Sequence, residues 1–296
     1  MLVTIAKLRR SRHHSALIPT AHAVVRKYSH AGAAPREIKI RAVPRLPPPQ
    51  NTDLASLSTP VIWGTAPQRG RAAALMAALR HGADRLVEVE LGRYDDPSSA
   101  GFDRVTMSLG QYLDWLGLLS SPGNAGRNQI DEKQVYLAQW RGADEVQSVL
   151  GVVKPPPALW SLMNKDNVDL YQTSFFIGPH EAVTPLHYDP YMNCFHLQAV
   201  SDPARFAKHV FLLPPSVSAI VRPDPRTRMQ RNTSHIGFHL RSAGDSSTPH
   251  QGETLFIPRG WWHRVENVSL DGEPAEEASG GWTAGVAWWF LLRTQS

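Results

Sequence analysis

The chain has 296 residues, of which 42% are hydrophobic, enough to bury a sizeable core as one large domain or two small ones. A single cysteine, Cys194, excludes an internal disulfide framework and any cysteine-built zinc or iron–sulfur site, so a transition metal would have to be held by the thirteen histidines and by carboxylates. The formal charge of +5 is a property of one end: six Lys or Arg residues fall between Met1 and Tyr28, the first acidic residue is Glu37, and the rest of the chain carries 25 basic against 26 acidic residues.

In chain order, residues 1–36 read as a basic disordered leader. Its Arg-rich, acid-free composition, with Leu2, Ile5 and Leu8 at helical spacing and a cleavage-like Arg26-Lys27-Tyr28-Ser29, predicts a transit peptide and the mitochondrial matrix; an uncleaved tail on a nuclear or cytoplasmic protein is the alternative. No apolar run is long enough to span a bilayer, which argues against a membrane protein. The near-neutral remainder argues against nucleic acid as a partner. Proline clusters at Pro47–Pro49 and Pro155–Pro157 predict interruptions where neither a helix nor a central strand runs.

Between the clusters, Gly70–His81 and Ser108–Leu119 have apolar residues at three- and four-residue intervals and predict amphipathic helices, while Leu86–Leu91 alternates as a strand does. After Pro157 the chain turns to short β-type runs: Ser174–Ile177, Cys194–Val200, His209–Leu213, Thr254–Ile257, Arg264–Val268 and Thr283–Leu292. Polar stretches at Ser242–Pro249 and Asp271–Gly281 predict surface loops. The expectation is a domain over 37–296, helix-rich to about 157, with a β-sandwich or barrel over 170–294.

The chemistry is concentrated in TPLHYDP (184–190). His187 and Asp189 are two apart in an extended stretch, so both side chains leave one face and converge on one point. GETLFIPRGWWH (252–263) offers a second imidazole, His263, at the end of a strand-turn unit. Two His and one carboxylate on one side of a metal leave positions open for further ligands.

Taken in order, HYDP, NCFHLQAV, KHVFLLPP, GETLFIPRGWWHRVENV and VAWWF resemble the Jumonji-C hydroxylases, from about Val43-Pro44-Arg45-Leu46 to the C-terminus, and most closely their small single-domain branch. The resemblance implies an all-β core with flanking helices, a double-stranded β-helix (jelly-roll, cupin) barrel. It implies an Fe(II) site of His187 and Asp189 on the second core strand and His263 on the seventh, with 2-oxoglutarate and O2 as cosubstrates. By the same resemblance Lys208 grips the far carboxylate of 2-oxoglutarate, Tyr136, Thr184 and Asn193 touch the cosubstrate, and Trp289 backs the pocket. Read without it, Tyr136 is a core tyrosine, Thr184 a turn residue, Asn193 a solvent-facing amide, Lys208 a solvated lysine, and Trp288 or Trp289 plain core.

One departure stands out. Ser201–Ala207 replaces the short glycine turn usual before the lysine; a lengthened hairpin would keep Lys208 in place, whereas a slipped register would remove the anchor. The tryptophans Trp261, Trp262, Trp288 and Trp289 are expected to enclose the site. The function implied is hydroxylation of a protein or peptide side chain. The alternatives are histone or protein lysine demethylation, tRNA hydroxylation, a cupin enzyme that does not use 2-oxoglutarate, and a non-catalytic cupin binding module.

Overall fold

The computed structural model describes residues 21–25, 36–40, 43–46, 54–64, 70–92, 103–119, 135–165, 167–180, 182–221, 232–234, 248–270 and 280–293. Most of the leader, the cleavage-like Arg26–Ser29, the cluster Pro47–Pro49 and most of both polar loops lie outside them. The chain divides into two units, Met1–Ala42 and Val43–Ser296. The first contains an antiparallel pair, β1 (Ala21–Val25) and β2 (Arg36–Ile40).

The second unit is built on two sheets. The larger has nine strands: β3 (Arg45–Leu46), β4 (Val61–Gly64), β5 (Leu86–Leu91), β6 (Asp103–Ser108), β7 (Val135–Trp140), β8 (Val168–Pro179), β10 (Met192–Val200), β12 (Glu253–Ile257) and β14 (Trp282–Leu292), in the spatial order β3-β4-β12-β10-β14-β8-β7-β5-β6. The smaller has the order β11-β13-β9, with β9 at Val183–Tyr188, β11 at Phe206–Leu213 and β13 at Trp262–Ser269. Asn232–Ser234 lies along β9 with Thr233 opposite His187. Counting that segment, β8 to β14 supply eight core elements, four in the larger sheet (β8, β10, β12, β14) and four on the smaller (β9, β11, the 232–234 segment, β13), the jelly-roll arrangement the resemblance implies, with β9 second and β13 seventh.

Successive residues of a strand face opposite ways, so each sheet has two chemistries. On the larger sheet one face carries Phe175, Ile177, Cys194, Phe256, Val286, Trp288 and Phe290, which form the main core with α1 (Arg71–Arg80) and α2 (Leu109–Leu119). Leu75 and Leu79 of α1 and Leu113 and Leu116 of α2 are fully buried at helical spacing, each contributing about 1.5–3 kcal/mol. The other face, with Phe176, Asn193, Phe195, Ala287 and Trp289, turns toward the smaller sheet. Gly285 belongs to that face by necessity: a Cβ there would lie 2.2 Å from the Phe195 ring.

Several expectations are refined. Ser108 ends β6 and caps α2: its hydroxyl accepts the Gln111 N–H at 3.2 Å while the Gln111 side chain accepts the Ser108 N–H at 3.0 Å, a reciprocal capping box. Pro155–Pro157 does not only interrupt, because Pro157 opens α4 (Pro157–Asn164), where a missing N–H costs nothing. Two further short helices, α3 (Gly142–Glu145) and α5 (Ser218–Val221), lie in connections. The segment before 157 contains strands β4 to β7 as well as α1 to α3. Among the described residues, no helix is long and apolar enough to cross a membrane.

Candidate metal and cosubstrate site

His187 and His263 are cross-strand partners in β9 and β13, with ring centroids 4.1 Å apart, and Asp189 follows immediately after β9. Nε2 of His187 lies 4.0 Å from Asp189 Oδ1, and Nε2 of His263 lies 3.5 Å from Asp189 Oδ2. One ligand atom from each residue falls within 4.8 Å of the other two, close enough to share one ion.

The surroundings prepare these groups. The Nδ1–H of His187 donates to the Pro185 carbonyl at 2.8 Å, and that of His263 to the Trp261 carbonyl at 3.1 Å. A carbonyl only accepts, so both rings are held in the tautomer that leaves Nε2 a bare lone pair. Trp289 Nε1 donates to Asp189 Oδ2 at 2.9 Å and fixes the carboxylate. Burial, and the neighbouring His187, hold His263 below the ordinary imidazole range against the opposing pull of Asp189, which keeps it neutral and able to ligate.

His187 and His263 form part of the wall of a solvent-open cavity between the two sheets, and Asp189 lies against both of them. Tyr136, Thr184, Asn193 and Trp289 also line it. Thr184 is a strand residue facing inward from β9, not a turn residue. Asn193 is buried rather than solvent-facing, and its Oδ1 has no partner. Trp289 lines the cavity while Trp288 packs in the main core. Of the four tryptophans expected to enclose the site, only Trp289 does so. Trp262 faces the other side of its strand against Tyr188, and Trp261 donates to the Ser58 carbonyl at 3.2 Å; adjacent strand positions cannot share a face.

Lys208 is buried at 1% exposure. The turn Ser201–Arg205 is closed by its own bonds, with Asp202 accepting from Ala204, Arg205 and Phe206, so the hairpin lengthens without slipping and Lys208 pairs with Asn267. On β13, His263, Val265 and Asn267 share a face opposite Leu212, Val210 and Lys208 of β11, which puts Lys208 next along that face from Val210, a residue of the cavity wall. Its Nζ lies 5.8 Å and 6.0 Å from the ring centroids of Tyr136 and Phe195. It donates to Asn267 Oδ1 at 2.7 Å, and no carboxylate among the described residues pairs with it. Burial pushes the amine down from 10.5 to about 7.

Asn267 is a residue the sequence reading missed. Its Nδ2 donates to the Gly178 and Pro179 carbonyls, and its Oδ1 accepts from both Lys208 and Thr283. The period-two pattern from His263 was the available signal.

A family model described as a cupin-like domain matches residues 64–294. The chain belongs to the cupin-like family. Its Jumonji-C character is also seen in two relatives. It is 28% identical over 157 residues to the lysine-specific demethylase JMJ31 of Arabidopsis thaliana, covering 46% of this chain and 26% of that protein. It is 33% identical over 115 residues to JmjC domain-containing protein D of Dictyostelium discoideum, covering 36% and 24%. The chain thus matches about a quarter of the length of either relative.

Proposed function

We propose that this cupin-like protein is an Fe(II)- and 2-oxoglutarate-dependent dioxygenase that hydroxylates a side chain of a protein or peptide. The observation that carries the reading is a cluster of three metal-competent groups, two of them in the wall of a cavity, with a buried amine, paired by no described carboxylate, lying behind the lining rings of Tyr136 and Phe195. His187, Asp189 and His263 would hold the ion. Two imidazoles that each turn Nε2 inward and one carboxylate suit iron better than magnesium or calcium, and they leave coordination positions open.

Lys208 fits the cosubstrate for a physical reason. A buried amine using one of its three donors is costly, and a carboxylate is the group that relieves the cost. Tyr136, Thr184 and Asn193 would supply hydroxyl and amide contacts along the cosubstrate, while Trp289 holds Asp189 in place. Phe176, Phe195, Val210, Ile257 and Val265 keep the cavity apolar and limit its water. When bound, Fe(II) would chelate 2-oxoglutarate and activate O2, with one oxygen atom entering the substrate C–H bond and the other entering succinate as CO2 leaves.

Lys208 also favours this reading over a cupin enzyme that works without 2-oxoglutarate, which would have no use for a buried cation. Demethylation is a second reading, favoured by the name of the Arabidopsis relative. The deciding experiment is an anaerobic titration with Fe(II) and then 2-oxoglutarate, followed by the visible charge-transfer band of the chelate. The expected result is a band in the wild-type protein that is lost in Lys208→Ala; bound iron with no band overturns the proposal. For the leader, the acid-free, Arg-rich composition supports import into the mitochondrial matrix, and the cellular protein should then begin near Ser29.

A further inference from the structure

Among the described residues, Gln139 is the one non-glycine residue with a left-handed backbone, at φ +54°. Such a conformation costs free energy in a residue with a Cβ, and it persists where the surroundings impose it. The imposing element is a bulge: Leu137 pairs with Ile177 and Trp140 with Phe175, so β7 has one residue more than β8 across this interval.

The bulge has a directional effect. In a regular strand Gln139 would face away from Tyr136, three positions earlier, yet both line the cavity. The extra residue re-aims Gln139 into the mouth. Its backbone is tied there, since the Ser174 hydroxyl donates to the Gln139 carbonyl at 3.4 Å, Gln172 Nε2 donates to that hydroxyl at 2.5 Å, and Gln172 pairs with Trp289 in the ladder. Its carboxamide is exposed and has no hydrogen-bond partner among the described residues.

The rest of the lining has a matching character. The described lining holds no Asp, Glu, Lys or Arg, its two histidines being the proposed metal ligands. Asp189 is engaged by Trp289 and by the two histidines. A cationic side chain entering the cavity would shed water and gain no carboxylate in return, whereas an amide would find in Gln139 a donor and an acceptor on one planar group.

We infer that Gln139 is a specificity-determining residue that hydrogen-bonds an amide of a peptide substrate at the mouth, and that the target side chain admitted is uncharged. This rests on the oxygenase reading of the same site. The bulge exists to present that carboxamide, and the left-handed backbone is its cost.

The test uses full-length protein with Fe(II), 2-oxoglutarate and O2, and capped synthetic peptides that differ only in a central residue: Asn, Leu, Arg or trimethyllysine. Hydroxylation is read by mass. The 2-oxoglutarate titration is run on each variant, and thermal unfolding accompanies it. The expected result is kcat/KM at least about tenfold higher for the uncharged centres than for the charged ones. Gln139→Ala and Gln139→Gly should each raise peptide KM by about fivefold to tenfold, the loss of one neutral hydrogen bond, with the 2-oxoglutarate Kd unmoved. The glycine variant accepts φ +54° without strain, so it keeps the test valid if the alanine variant folds poorly. Preference for Arg or trimethyllysine, an unchanged KM in both variants, or no turnover of any peptide by protein that binds 2-oxoglutarate would each overturn the inference. Absence of the chelate band in the wild type would instead remove the oxygenase reading, and this inference with it.

Discussion

His263 and His196 occupy opposite sides of the larger sheet's central strands and share two properties usually taken to mark a site. His263 is buried and His196 largely withdrawn from water, and both are held below the ordinary imidazole range; burial and the Arg71 charge push His196 to about 4. They differ in what their nitrogens are doing. His196 faces α1, with Nδ1 bonded to Thr254 Oγ1 at 2.9 Å and Nε2 beside the Arg71 guanidinium at 3.3 Å. His263 commits only Nδ1, to a backbone carbonyl, and turns a bare Nε2 toward Asp189 and His187. Burial and a shifted pKa are common to a satisfied structural histidine and a candidate ligand; the unspent lone pair separates them. The same criterion singles out Asn193, with an orphan oxygen, and Lys208, with two idle donors, against the fully engaged Asn267.

The largest effect expected from this contrast is at Asp189. Asp189→Ala should abolish iron binding while leaving circular dichroism unchanged, and one iron per chain in that variant would remove the triad. Trp289→Phe deletes the donor that orients Asp189 but keeps the ring, and should weaken iron binding by about 10-fold to 100-fold in a competition titration. A smaller effect comes from Lys208. With its amine pushed by burial to about 7, it is charged below that pH and neutral above it. A bound carboxylate selects the charged form, so the Kd for 2-oxoglutarate should rise about fivefold from pH 7 to pH 8, measurable by calorimetry. His196→Leu should leave iron stoichiometry untouched and instead lower stability by about 1–3 kcal/mol in denaturant titration, because Thr254 and Arg71 lose their partner.

The barrel strands were legible because each carries its own local signal. Runs such as Cys194–Val200 and Thr283–Leu292 fall inside β10 and β14, and the two amphipathic helices announce themselves by spacing. His187 and His263 were legible through flanking motifs, although their facing register in β9 and β13 depends on a pairing between residues far apart in sequence. What local pattern cannot show is where a strand docks: β7 joins β8, and through it β5 and β6 extend the sheet, by contacts that no periodicity encodes. Gln139 was invisible for a related reason, since a bulge is a mismatch in count between two strands and neither strand records it alone. Lys208 was ambiguous because a hairpin insertion can keep or shift register, and the choice is made by turn bonds at Asp202.

The extension of the large sheet also bears on how the molecule meets its own copies. In a bare barrel sheet of β12, β10, β14 and β8, the twelve-residue β8 would present a row of open backbone groups, a template for intermolecular strand addition. Here β7 covers part of that row, and the margin moves out to β6, where Arg104 bridges to Glu88 and Glu90 at 3.4 Å and 3.2 Å. At the other margin β3 is two residues long and Arg45 is paired with Glu253 at 3.0 Å. A neighbouring chain therefore meets a charged strip on one side and a stub on the other, both poor seeds for amyloid-like stacking.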